Sequence, residues 1–455
     1  MTRCSIVPPH VLAALARSTQ AQPALVAART LAIDATLRHS RTPVGSRPSL
    51  VPSEVTPDQG PRRTIHDAHG SEDLPGAVVR SEGEPPSDDP AVDEAYDGLG
   101  LTWELWAREY GRNSLDGAGM PLVATIHYAQ DYDNAFWDGA QMVFGDGDGE
   151  IFTRFTASLD VIGHELAHGV TEHTAALVYR GQSGALNEHV SDVFGVLVKQ
   201  RHLGQSADEA DWLIGAELLS PSVHGQALRS MAAPGTAYDD PRMGKDPQPA
   251  HMDDYVRTSD DNGGVHINSG IPNKAFHLVA TTLGGPAWQA AGLIWRDVLM
   301  GEIATDCDFA TFAALTVAAA QARYGDGSTQ AAAVADAWQQ VGVVADEGGT
   351  PPVDETDGTE GEGALLHLTR SGGVAGLTRS RELSLGELPR SDALAFRSLI
   401  EGPQLPRLAA EGTSRPDALC YGLRCERPEL DVQVAESVLP RATRSLFERT
   451  LRREG

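Results

Sequence analysis

His164, Glu165 and His168 stand in the run His-Glu-Leu-Ala-His. On an α-helix, residues four apart share a face, so both imidazoles can turn a ring nitrogen toward one ion. Glu188, in Leu186-Asn-Glu-His-Val-Ser-Asp192, follows in a second helical pattern and offers a third donor. Two imidazoles and a carboxylate make the ligand set of a catalytic zinc site, in which three protein ligands leave one position for water. One zinc ion is expected. Glu165 is the neighbour of a ligand but lies about 100° around the helix, so it faces that water instead of the metal, as a general base does. Asp160, one turn before His164, and Asp192, one turn after Glu188, are spaced to hold the ligand imidazoles through their other nitrogens. The His-Glu-x-x-His run alone is suggestive; the second helix with its carboxylates makes it specific.

These helices need a partner layer. Strand signals precede them, in Leu122-Val-Ala-Thr-Ile-His-Tyr128 and Gln141-Met-Val-Phe144, whereas helical patterns dominate from Asp160 onward. The expected fold is α+β with two lobes, one strand-rich and one helical, and the site in the cleft between them.

Ser158-Leu-Asp-Val-Ile-Gly-His-Glu-Leu-Ala-His-Gly-Val170 and Gly184-Ala-Leu-Asn-Glu-His-Val-Ser-Asp192 resemble the thermolysin family of zinc peptidases, over residues 64 to 344. The resemblance implies an endopeptidase acting on peptides and proteins. It also implies roles for residues that no spacing argument would single out. Asn134 and the backbone of Ala135, in Asn134-Ala-Phe-Trp137, would hold the substrate main chain, and Arg229 would bind a substrate carbonyl. Tyr179 and His266 would stabilise the tetrahedral oxyanion, with Asp261 orienting His266. Phe152, Phe155, Val161 and Leu228 would line a specificity pocket, implying cleavage on the amino side of bulky hydrophobic residues. Ordinary core packing is the competing role for those four, and both can hold for Val161. Where the family carries paired calcium ions, Lys199, Leu213 and Ala216 replace ligands and only Asp160 and Asp211 remain, so the double calcium site is expected to be absent.

The formal charge of −27 on 455 residues argues against a nucleic-acid partner, whose phosphates need a basic surface. No apolar run is long enough for a membrane span. Pro8-Pro9-His10 interrupts the N-terminal apolar stretch before a standard secretory signal could form. Four scattered cysteines read as free thiols, with Cys420 and Cys425 alone close enough in sequence to bridge. A cytoplasmic location is therefore expected, with leaderless export as the alternative.

Two flanking pieces remain. Residues 1–50 hold two short helical patterns, one after Pro9 and one through Val26, Thr30, Ile33 and Leu37. Pro8-Pro9-His10 and Val196-Leu-Val-Lys-Gln200 resemble the protealysin subgroup, which implies a short pro-segment and a zymogen; a plain helix started by proline is the simpler alternative. The peptidase unit is set at 51–345 and is followed by an acidic linker at 346–363, rich in Gly, Pro and Thr. Residues 364–455 read as a small α+β domain. They carry fourteen Arg, no Lys and twelve acidic residues, a net of +2 that leaves −29 on the rest. Gly372-Gly-Val-Ala-Gly-Leu-Thr378 and Pro416-Asp-Ala-Leu-Cys-Tyr421 resemble emfourin, which implies inhibition of the peptidase within or between chains. A substrate- or partner-recruiting module is the alternative for this domain. A catalytically idle binding scaffold is the alternative for the whole, and the presence of Glu165, Tyr179 and His266 speaks against it.

Overall fold

A computed structural model describes residues 5–39, 60–344, 365–371, 379–384, 396, 399–400, 409, 419–426, 429–439 and 441–452. The chain divides into two compact units, 1–351 and 352–455. The acidic linker and most of the two emfourin-like motifs lie outside the described residues.

The first unit begins with a helical hairpin. Pro9 starts α1 (Pro9–Ala16), where its missing N–H costs nothing, and α2 (Ala21–His39) packs back on it. Val11, Leu12 and Leu15 of α1 and Ala27 of α2 are buried in the main core.

The strand-rich lobe holds β1 (Arg63–Asp67), β2 (Ala77–Ser81), β3 (Leu122–Ile126), β4 (Ala135–Trp137) and β5 (Met142–Phe144), in the sheet order β2-β1-β3-β5-β4. β3 pairs in parallel with β1 and β5, and β4 pairs antiparallel with β5. This leaves β4 as an edge strand, with one side not paired to another strand of the sheet. The lobe also contains α3 (Pro90–Glu104), started by Asp89, whose carboxylate accepts from the Ala91 N–H.

The helical lobe is built on α4 (Leu159–Glu172) and α5 (Gly181–Leu203). Glycines set their spacing. A Cβ on Gly195 would meet the Asp160 carbonyl oxygen at 2.4 Å, and one on Gly163 would meet the Gly195 Cα at 3.0 Å. The two backbones can touch only because both positions lack a side chain, and that contact carries the motif helix onto the one bearing Glu188. α6 (Asp261–Asn268), α7 (Gly270–Leu283), α8 (Ala290–Met300), α9 (Phe309–Tyr324) and α10 (Thr329–Gln340) complete the lobe. Among the described residues no helix is long and apolar enough to cross a membrane.

The second unit is a four-stranded antiparallel sheet in the order Arg379–Ser384, Leu365–Ser371, Cys420–Glu426, Glu429–Ala435, with a helix at Arg441–Arg452. Its core includes Leu366, Leu368, Leu423, Phe396 and Phe447. Of the helical pattern expected at 393–400, only Phe396, Leu399 and Ile400 are described. Cys420 and Cys425 share one strand, five residues or about 17 Å apart and on opposite faces, so the bridge considered from their sequence spacing cannot form.

Candidate zinc centre and substrate cleft

His164 and His168 project from one face of α4, and their Nε2 atoms lie 3.1 Å apart. Glu188 faces them from α5, with Oε2 3.6 Å from His164 Nε2 and Oε1 3.5 Å from His168 Nε2. The three ligand atoms fall within 4.8 Å of one another, and all three residues are buried. The hydrogen bonds behind the rings decide which nitrogens point inward. His164 Nδ1 donates to Asp192 Oδ1 at 2.8 Å. His168 Nδ1 donates to Asn187 Oδ1 at 2.8 Å, an amide whose orientation is set by its Nδ2 donating to the Leu177 carbonyl. Each Nε2 therefore presents a lone pair. Two lone pairs at 3.1 Å beside a carboxylate repel one another unless a cation lies between them, so the donor set fits zinc.

Asp192 behaves as its spacing suggested; Asp160 does not. Asp160 turns away from His164, and Oδ2 accepts from Lys199 Nζ at 3.1 Å while Oδ1 accepts from Ser158 Oγ at 2.6 Å. The physical reason is that the His164 ring turns its Nδ1 toward α5, not back along α4, and the buried ammonium claims the Asp160 carboxylate. Asn187, next to the ligand Glu188, serves His168 instead. Lys199 also lies 3.3 Å from Asp211 and 3.6 Å from Glu217. Burial lowers its pKa, but Asp160, Glu217 and Asp211 more than offset this and raise it, so an internal cation sits among the carboxylates. Leu213 and Ala216 flank this cluster without contributing charge.

Glu165 is buried beside the triad. Its Oε2 accepts from the Trp137 N–H of β4 at 3.0 Å, and its Oε1 has no hydrogen-bond partner among the described residues. Burial, and then the Glu188 carboxylate, push its pKa well above the ordinary value. Trp137 is thus a positioning element that the sequence did not flag, because a main-chain N–H carries no residue signature.

On the other side, Tyr179 Oη donates to Glu188 Oε1 at 2.5 Å and lies 3.3 Å from His266 Nε2. His266 Nδ1 donates to Asp261 Oδ1 at 2.7 Å, and its N–H donates to Asp261 Oδ2 at 2.9 Å. Asp261, Asn262, Gly263 and Gly264 all have positive φ, between 53° and 88°. This left-handed run curls the chain so that the carboxylate of Asp261 reaches a ring five residues on. Burial works against the His266 cation, but Asp261 and then Glu188 raise its pKa.

The cleft edge is occupied by a segment of the same chain, Ile6 and Val7 ahead of α1. Ile6 N–H donates to the Ala135 carbonyl of β4 at 3.1 Å, and the Ile6 carbonyl accepts from Arg229 Nη1 at 3.2 Å. Asn134 Oδ1 accepts from the Val7 N–H, and Asn134 Nδ2 donates to Val7 O and to Asp34 Oδ2 of α2. Ile6 and Val7 are fully buried, and Phe152, Phe155, Val161 and Leu228 belong with them to the main apolar core. Arg229 also forks onto Asp192 through Nη2 at 2.8 Å and Nε at 3.0 Å. Burial would raise the Asp192 pKa, yet Arg229 and His164 hold it well below the ordinary carboxylate value.

Residues 62–172 match the profile of the thermolysin metallopeptidase catalytic domain, and residues 175–343 that of its alpha-helical domain. An extracellular metalloprotease of Pectobacterium carotovorum subsp. carotovorum is 52% identical over 342 residues, 75% of this chain and 96% of that protein. A thermolysin of Alicyclobacillus acidocaldarius is 38% identical over 262 residues, 56% of this chain and 46% of its own length. The solved structure of a precursor of protealysin, a metalloproteinase from Serratia proteamaculans, aligns with a TM-score of 0.68 and 52% identity, covering 75% of this chain and all of that one. The chain belongs to the thermolysin family of metallopeptidases, and it is a zinc metalloendopeptidase of the protealysin-like kind. Its second unit is an emfourin domain, matched over residues 368–451. The expected cytoplasmic location is corrected by these relatives: one is named an extracellular metalloprotease and another, from Serratia marcescens, an extracellular minor metalloprotease, which points to secretion.

Proposed function

We propose that this enzyme is made latent, with its N-terminal segment in the substrate cleft, and that once released it cleaves peptides before bulky hydrophobic residues. The observation that carries this reading is the peptide lying along β4, whose main chain is held by Asn134, Ala135 and Arg229. These groups recognise no side chain, so they suit any extended substrate. That a solved relative is titled a precursor supports the latency.

His164, His168 and Glu188 would hold the zinc ion, which when bound would supply Lewis-acid polarisation and lower the pKa of water. Glu165 takes the proton of the attacking water and returns it to the leaving amine. Tyr179 and His266 donate to the oxygen that becomes negative, and Asp261 fixes the His266 ring. Phe152, Phe155, Val161 and Leu228 set the preference for an apolar side chain after the scissile bond. Asp192 holds His164 and Arg229 together.

The emfourin domain acts on the peptidase unit of its own chain, where the tether sets an effective concentration of roughly millimolar. Recruitment of substrates is the competing outcome. Secretion suits both activities, because an exported peptidase needs restraint before and during export.

The deciding assay compares the full chain, the chain without residues 346–455, and each as Glu165→Gln, on a peptide with Leu or Phe after the scissile bond. Activity that requires zinc and Glu165, and that rises when the emfourin domain is removed, is the expected result. Equal activity with Glu165→Gln overturns the catalytic assignment, and unchanged or lower activity on truncation favours recruitment.

A further inference from the structure

The zinc ligand His164 is connected to the centre of the helical lobe by an unbroken line of buried polar groups. Trp295 Nε1 donates to His189 Nε2 at 2.7 Å. His189 Nδ1 contacts Asn273 Oδ1 at 2.8 Å, Asn273 Nδ2 donates to Asp192 Oδ2 at 2.8 Å, and Asp192 Oδ1 receives His164 Nδ1 at 2.8 Å. Every member has a fully buried side chain.

The direction of each bond is forced. An indole N–H can only donate, so His189 Nε2 must accept. The neutral ring then carries its proton on Nδ1 and donates to Asn273. That fixes the Asn273 amide with its oxygen toward His189 and its NH₂ toward Asp192, whose carboxylate can only accept. The line starts at a pure donor and ends at a pure acceptor, and no member can reverse without two like groups meeting. A histidine placed between Trp295 and Phe312 merely to fill space would leave its polar atoms to chance, at the cost of burying them unsatisfied. Here both ring nitrogens are used.

We propose that His189, Asn273 and Trp295 are positioning residues for the zinc centre: they fix the Asp192 carboxylate, and through it the His164 ring and the Arg229 fork. Asp192 has four acceptor sites, and His164, Arg229 twice and Asn273 fill them. Without Asn273 one of these four sites is left empty, only the Arg229 fork and His164 itself hold the carboxylate, and the aim of the His164 ring is less tightly fixed. The inference rests on the assignment of zinc to His164, His168 and Glu188.

The test uses the full-length chain with zinc alone as the probe, its dissociation constant being measured by competition with a chromophoric chelator. Unfolding of the metal-free chain serves as the packing control. Asn273→Leu and Trp295→Phe are each expected to weaken zinc binding about tenfold, the lower end of what partners behind a metal ligand contribute. The double variant should bind no more weakly than Asn273→Leu, because Trp295 acts through Asn273. Asn273→Asp keeps the shape but turns a carboxylate toward Asp192, and should lose more than Asn273→Leu; it decides the matter if Trp295→Phe does not fold. Unaltered zinc affinity in Asn273→Leu and Asn273→Asp, or fully multiplicative losses in the double variant, overturns the proposal. A wild-type chain that binds no zinc would instead overturn the assignment of the site.

Discussion

The side chain of Asn134 clasps Val7 at two points, accepting its N–H at 2.9 Å and donating to its carbonyl at 3.3 Å. The same amide accepts from the Ala135 N–H and donates to Asp34, so all of its hydrogen-bonding capacity is used. Asn134→Ala should therefore loosen both the latch and the substrate. Each hydrogen bond contributes about 1 kcal/mol, so the full chain should activate roughly fivefold or more faster, and the released enzyme should show a KM raised by a similar factor. A progress curve on one peptide substrate reads both. An unchanged lag would exclude Asn134 from the latch.

Glu165→Gln keeps the volume and the Trp137 N–H as partner, but cannot accept a proton. The released enzyme should lose at least about 100-fold in kcat while still binding zinc. On the proposed oxyanion role, Tyr179→Phe should cost about 3 kcal/mol in kcat with little change in KM, and because Tyr179 Oη also donates to Glu188 Oε1 in this structure, zinc affinity should be measured beside it.

Lys199, nearly buried, pairs with the fully buried Asp160 and lies within ion-pair distance of the more exposed Asp211 and Glu217. Lys199→Ala strands these carboxylates and should lower stability by about 3 kcal/mol or more, with part of the loss restored by calcium. The wild type should lose no stability to a calcium-selective chelator. Thermal unfolding with and without calcium distinguishes these outcomes.

His127 bridges Asp146 at 2.8 Å and Asp89, the start of α3, at 2.8 Å. The Asp146 hydrogen bond, together with Asp89 and against partial burial, raises its pKa to about 9. Since the folded value lies above the ordinary 6.5, the stabilisation is complete below pH 6.5 and fades as the pH rises through about 9. Urea unfolding across pH 6 to 10 should show this decline in the wild type and a flatter profile in His127→Gln.

The zinc triad was legible because it depends on periodicity: His164, His168 and Glu188 are defined by positions on helices. The paired helices and the two N-terminal helical stretches were readable for the same reason, whereas the substrate-holding run Asn134-Ala-Phe-Trp137 came only through the family resemblance. Asp160 and Asn187 show where that reading ended. A spacing of four residues puts Asp160 on the right face, but only packing reveals that Lys199 takes it and that the adjacent Asn187 reaches His168. Trp137 N–H escaped because backbone donors are the same in every residue. Cys420 and Cys425 are close in sequence, yet a strand separates what a loop would have joined. The line from Trp295 to Asp192 joins residues more than a hundred positions apart, and no local pattern encodes it.

The latch formed by Ile6 and Val7 belongs to the same molecule as the cleft it fills. Dilution cannot loosen it, since both halves of the contact travel together, and a competing peptide would have to outbid a partner that never diffuses away. On the latency proposed above, cutting the connection turns the tethered segment into one that can diffuse away, so a population of this protein should switch on with a rate that follows the protease available to make the cut, not the concentration of its substrates.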